Sequence, residues 1–235
     1  MKTAIVPIRN YSLITLAYSR IKNLPDVIRE RMILISGKSG LGKSTLCGKL
    51  CVELGGIWIE ADSTDTPYGI LSKIVRELGS EPKRSATETL NLVTARLKAS
   101  GRPLFIDEVN RIADNRKVLD VLRAIHDKAN SPIIFVGNET VPRLLSRDEQ
   151  LDSRFIEKLE FYLCNEEDIA LLAEQLCEVK ISPDQYADIL KETKGSTRRA
   201  IHALAERERV ARQQRWADLS RDQWQAYVER KGGKS

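Results

Sequence analysis

Nothing in the 235-residue chain approaches the roughly 20 consecutive apolar residues that a membrane-spanning helix needs, and the opening MKTAIVPIRNYS lacks the long apolar core of a secretory signal. These absences make a cytoplasmic protein the expectation. Cysteine is scarce and scattered. Cys47, Cys51, Cys164 and Cys177 show no C-x-x-C spacing and have no histidine neighbours, which argues against a zinc site and a disulfide framework and leaves buried free thiols. Internal repeats and low-complexity segments are also missing, and the terminal KGGKS is expected to fray. No pattern suggests a DNA-cutting centre, a methyl-donor pocket or the second substrate site of a nucleotide kinase.

What is present is a chain with 42% hydrophobic and 30% charged residues, long enough for one sizeable α/β core and a small appended bundle. The net charge of +5 is unevenly placed. Residues 196–235 carry ten Lys/Arg against five Asp/Glu, so the preceding residues are neutral overall. A basic tail of this kind fits either a polyanion partner or a solvated helix.

Five apolar, β-branched runs read as short buried strands: MILIS (32–36), GIWIE (56–60), PLFID (103–107), PIIFVG (132–137) and KLEF (158–161). Between them KSTLCGKLCVEL, TETLNLVTARLKA and KVLDVLRAIHDKA place apolar residues at 3.6-residue spacing, which predicts crossover helices on a parallel sheet. After about residue 163 strand signals stop. Asn165 followed by Glu166, Glu167 and Asp168 marks a helix start. Ser182 with Pro183 and Gln185, and Ser220 with Gln223, read as two capping boxes. The expectation is an α/β domain over residues 1–163, with a five-stranded parallel sheet flanked by helices, and an all-helical lid with a basic tail over 164–235.

Gly37-Lys38-Ser39-Gly40-Leu41-Gly42-Lys43-Ser44 matches G-x-x-x-x-G-K-[ST] between a predicted strand and a predicted helix, with Thr45 next in the chain. Glycines let backbone N–H groups wrap phosphates, and the helix dipole favours an anion there. Lys43 can reach the β- and γ-phosphates, and the Ser44 hydroxyl suits Mg²⁺. The strand ending at Asp107-Glu108 puts two acids at a carboxyl end, where ligands of such sheets bind. Asp107 is a candidate for holding Mg²⁺ through water and Glu108 for polarising the attacking water.

Together these features resemble the AAA+ ATPases: strand, P-loop, strand ending Asp-Glu, strand ending in a polar residue, helical lid. The resemblance implies ATP and Mg²⁺ as cofactors. It makes Asn138 a first sensor that positions the lytic water, and Arg198, in Gly195-Ser196-Thr197-Arg198, a second sensor. Arg154 falls where the family places a finger that completes a neighbour's site, with Arg143 and Arg147 competing for that role. Tyr11 and Tyr18 are the candidates for the adenine pocket.

The opening Val6-Pro7-Ile8-Arg9-Asn10-Tyr11, a short helix and the approach to the P-loop further resemble the transposition ATPases, among them the B protein of phage Mu and target selectors of bacterial transposons. With the P-loop starting at Gly37, DNA binding is expected from the ATPase domain itself. Lys83, Arg84, Arg111, Arg116 and Lys117 are the candidate phosphate contacts, and Trp216 and Trp224 are expected to pack within the lid. The implied protein assembles as a filament or ring on duplex DNA without sequence preference and recruits or stimulates a transposase. A helicase loader or replication initiator is the alternative enzyme, and a non-catalytic ATP-switched scaffold the alternative of another class.

Overall fold

The computed structural model describes residues 1–25 and 27–232; of the terminal segment expected to fray, residues 233–235 lie outside it. The chain packs as two units: one of Tyr11–Lys38 and Lys43–Phe161, the other of Met1–Asn10, Ser39–Gly42 and the chain from Tyr162 on.

In chain order the first part of the protein runs α1 (Arg9–Lys22), β1 (Met32–Ser36), α2 (Lys43–Glu53), β2 (Ile57–Glu60), α3 (Pro67–Glu77), α4 (Ala86–Ser100), β3 (Leu104–Asp107), α5 (Arg116–Ala129), β4 (Ile133–Val136), α6 (Val141–Leu145), α7 (Glu149–Asp152) and β5 (Phe155–Glu160). The five strands form one parallel sheet in the order β2-β3-β4-β1-β5. The central strands β1, β3 and β4 are buried at every residue, as uninterrupted apolar runs require when helices cover both faces. β5 is the edge strand. It buries Phe155 and then alternates, and it spans Phe155–Glu160 where KLEF predicted a later, shorter segment.

Helix α2 turns Leu46, Cys47, Leu50 and Cys51 inward and packs on β2, β3 and β4. Helix α3 begins with Pro67 behind the cap Thr66, whose hydroxyl accepts the Gly69 N–H at 3.0 Å. Ser85 and Asn115 cap α4 and α5 in the same way. Together α3, α4 and α5 enclose a core built on Ile70, Ile74, Val93, Leu97, Leu122 and Ile125.

The second unit continues with α8 (Glu166–Leu176), β6 (Lys180–Ile181), α9 (Tyr186–Thr193), α10 (Thr197–Gln213), β7 (Asp218–Leu219) and α11 (Arg221–Gly232). It is helical with one correction: β6 and β7 pair in parallel, where no strand was expected after residue 163. Asn165 and Asp168 form a reciprocal capping box on α8, and Ser220 and Gln223 exchange bonds of 2.8 and 3.3 Å ahead of α11. The predicted Ser182 box is absent. Gln185 is 1% exposed and turns inward, donating to Leu219 O at 2.6 Å and accepting from Arg207 Nε at 3.2 Å. Burial gave its amide better partners than the helix start could. The four cysteines are free and buried. Among the described residues no helix is long and apolar enough to cross a membrane.

Candidate functional site

The loop after β1 reverses sharply. Gly37, Gly40 and Gly42 have φ of 143°, 82° and 82°, a sequence of torsions that only glycine adopts without strain. An added Cβ at Gly40 would lie 2.8 Å from Ser196 Oγ, so that hydroxyl would have to move in addition to the strain of the torsion. Within the unit that holds the crest of the loop, the Arg198 N–H donates to Gly40 O at 2.9 Å and the Thr197 hydroxyl to Leu41 O at 3.3 Å. The first turn of α10 thus holds the carbonyls of Gly40 and Leu41 through the Arg198 N–H and the Thr197 hydroxyl, and the Arg198 side chain is exposed.

In the sheet unit the loop runs into α2. Lys43 Nζ donates to Gly37 O at 2.7 Å and Lys38 O at 2.9 Å. Burial lowers the Lys43 ammonium from its ordinary value, opposed by the carboxylates of Glu139, Asp107 and Glu108. Glu139, directly after Asn138, was not singled out from the sequence; its neighbourhood with Lys43 follows from the strand order. Ser44 and Thr45 are exposed at the start of α2.

Asp107 ends β3 and is 7% exposed. Burial raises its carboxyl, and hydrogen bonds from the Ser44 hydroxyl and the Glu108 N–H, the latter at 2.8 Å, oppose that rise. Glu108 has the left-handed φ of 54°. For a residue with a side chain this torsion is strained, and such strain collects where a side chain must be aimed. Its Oε2 accepts from Asn110 Nδ2 at 3.2 Å and lies 3.9 Å from Arg111 Nε.

Asn138 follows β4 through Gly137, where an added Cβ would sit 2.6 Å from Val141 Cγ2. Its side-chain oxygen accepts from the Thr140 N–H at 3.0 Å and the Thr140 hydroxyl at 2.7 Å, while its own N–H donates to Asn110 Oδ1 at 3.3 Å. Lys43, Ser44, Asp107, Glu108 and Asn138 are therefore carried at the carboxyl ends of neighbouring parallel strands and the start of α2.

The remaining candidates divide. Arg154 binds Asp127 through two bonds of 2.8 and 3.2 Å, so in the single chain its guanidinium is held as an internal ion pair. Arg147 stands 4.0 Å from Asp114 with both side chains well exposed, and Arg143 is exposed on α6. Arg111, a candidate DNA-phosphate contact, is exposed and donates to Glu60 Oε1 at 2.8 Å and Ala61 O at 3.1 Å. The acids at the ends of β2 and β3 draw it toward the site.

Arg116 and Lys117 are exposed in the first turn of α5, where helix dipole and side chains add positive potential. Lys83 and Arg84 are exposed ahead of α4. There the Lys83 backbone is tied to Thr89 Oγ1 at 3.0 Å and to the Tyr68 hydroxyl at 2.8 Å. Tyr11 donates to Glu53, at the far end of α2 from Lys43, roughly 15 Å along the axis at 1.5 Å per residue. This sets its hydroxyl apart from Lys43 and the start of α2. Trp224 packs within its unit, beneath the Arg207 guanidinium at 4.4 Å.

The family described as AAA domain matches residues 28–145, half of the chain. Over 125 residues the sequence is 30% identical to replication factor C subunit 1 of Oryza sativa subsp. japonica, a match covering 50% of this chain and only 12% of that protein. Among solved structures, the ORC2 protein of Aeropyrum pernix aligns with a TM-score of 0.70 at 19% identity, over 95% of this chain and 68% of that one. The RuvB Holliday junction branch migration motor of Thermotoga maritima gives 0.64 at 23%, over 95% and 69%. The Aeropyrum pernix ORC1 protein, solved in complex with DNA, gives 0.61 at 18%, over 97% and 66%. At these identities the structural likeness shows the fold.

Proposed function

We propose a function from one premise: the chain belongs to the AAA domain family. The function is hydrolysis of ATP coupled to assembly on duplex DNA. The observation that carries it is the gathering of Lys43, donating to Gly37 O, a Ser44–Asp107 hydroxyl–carboxylate pair and the strained Glu108 at the ends of adjacent strands of the sheet unit. A triphosphate calls for N–H donors at a helix start and a cation, and Mg²⁺ calls for hard oxygen donors. Gly37 through Thr45 and Lys43 fit the first. The Ser44 hydroxyl and Asp107 fit the second. When bound, Mg²⁺ would neutralise phosphate charge.

The chain's own residues do the rest. Lys43 holds the phosphate end. Glu108 accepts the proton of the attacking water, and Asn138 helps to hold that water in line. Arg198 serves as the second sensor by its place in the Gly195–Arg198 motif. Arg154 acts on a neighbouring subunit once assembly offers its guanidinium a phosphate in exchange for Asp127. The exposed cations Lys83, Arg84, Arg116 and Lys117 meet DNA phosphates without reading bases.

Target-DNA selection for a transposase is the finer reading, supported by the sequence from Val6 to Tyr11. A replication initiator or loader is the second reading, favoured by the replication factor C and ORC names among the similar proteins. Phosphate release with and without duplex DNA tests the shared core: the expected result is DNA-stimulated turnover, and turnover indifferent to DNA contradicts it. Stimulation of a transposase against loading of a ring helicase then separates the two finer readings.

A further inference from the structure

Asn110 lies two residues beyond Glu108, in the 3₁₀ turn Val109–Arg111 that follows β3. Its amide spans two strand ends. Nδ2 donates to Glu108 Oε2 at 3.2 Å, and Oδ1 accepts the Asn138 N–H at 3.3 Å. The orientation of an asparagine amide follows from its partners, and here both partners agree. The reversed amide would set NH₂ against the Asn138 N–H and its carbonyl oxygen against the Glu108 carboxylate. The left-handed backbone at Glu108 fixes where that side chain starts, and the bond from Asn110 fixes where its carboxylate ends. On the β4 side, Gly137 brings the backbone so close that a Cβ there would be 3.5 Å from Asn110 Oδ1, which keeps the bridge short.

We propose that Asn110 is a positioning residue for hydrolysis, holding the Glu108 carboxylate and the Asn138 backbone in one fixed relation. The inference rests on the assignment of Glu108 as base and Asn138 as sensor. A base and a water-holding group act together only when their relative placement is set before the reaction, and a misplacement of about 1 Å costs on the order of a hundredfold in rate.

The test uses the full chain, measuring kcat, KM, ATP affinity by titration, melting temperature and the pH profile of kcat. Asn110→Asp keeps the shape and the acceptor for the Asn138 N–H but loses the donor and sets a second carboxylate beside Glu108. Its kcat should fall about 10- to 100-fold with ATP affinity and melting temperature unchanged, and the acidic limb of its profile should move to higher pH. Asn110→Ala should lose at least as much kcat with the limb where the wild type has it. Wild-type kcat and profile in Asn110→Asp would overturn the proposal, and so would losses matched by weaker ATP binding or a lower melting temperature. Glu108→Gln separates the failures. If it keeps normal turnover, the assignment of the base fails. If it stops turnover while Asn110→Asp leaves kcat unchanged, only the positioning role fails.

Discussion

At the ends of β1, β3 and β4, Lys43 faces the acids Glu139, Asp107 and Glu108, and burial acts against the charges of Lys43 and Asp107. Along α10 the same residue types close on one another. Arg207, 2% exposed, donates to Glu192 at 2.9 Å, Gln185 at 3.2 Å and Ala203 O at 3.3 Å, and lies over Trp224. Glu208, equally buried, takes the Met1 ammonium at 2.6 Å and Arg212 at 2.8 Å. The first cluster gathers its groups at the strand ends across a strained backbone, and on the proposed function they face a ligand. The second satisfies its groups internally and stiffens the helical unit. Changes in the first should cost activity and spare stability, and changes in the second should do the reverse.

The largest effect is expected from Lys43→Ala, which should lower turnover by about a thousandfold and weaken nucleotide binding while the melting temperature holds. Next comes Arg207→Leu. Removing the cation leaves Gln185 and Glu192 without their partner and should destabilise the fold by about 2–3 kcal/mol in denaturant titration, with turnover per folded molecule unchanged. A large loss of turnover in that variant would erase the distinction between the clusters.

A smaller effect divides the cations themselves. Changing Arg116 and Lys117 together to Ala should flatten the salt dependence of DNA binding by about two units of logarithmic slope, read by fluorescence anisotropy on unrelated duplexes. Arg209 and Arg212, bound to Glu206 and Glu178, should leave that slope alone when changed together.

The smallest effect concerns His126. It is buried on α5, its Nε2 accepts the Arg31 N–H at 3.2 Å, and its Nδ1 meets Asp127 at 3.0 Å, with Arg154 and Glu30 also facing the group. Burial lowers its pKa despite the bond to Asp127. The unfolded chain therefore binds the proton first. Stability from this group is full above the ordinary value of 6.5 and is lost as pH falls from there toward the lowered folded value. Melting between about pH 7.5 and about pH 5.5 should fall more in the wild type than in His126→Gln.

What sequence patterns reveal here follows from locality. The central strands are apolar throughout because both faces are covered, and the P-loop and Asp107-Glu108 are contiguous in the chain, so all were legible. β5 was misplaced because an edge strand buries alternate residues. The Ser182 box failed because Gln185 found partners 22 and 34 residues away. The basic tail looked available as a string of arginines, yet Arg207 is buried and Arg209 and Arg212 are paired. Arg111 meets Glu60 across 51 residues, and Arg154 meets Asp127 across 27. Pairings at such separations depend on strand order, which no local pattern contains. Asn110 left one trace that could have been used, a polar side chain two residues past the paired acids.

Glu108 as the base of an ATPase is open to a phosphate-release assay on Glu108→Gln with a parallel nucleotide titration. Turnover should fall between about a hundredfold and ten-thousandfold with binding retained. Normal turnover in that variant would contradict it.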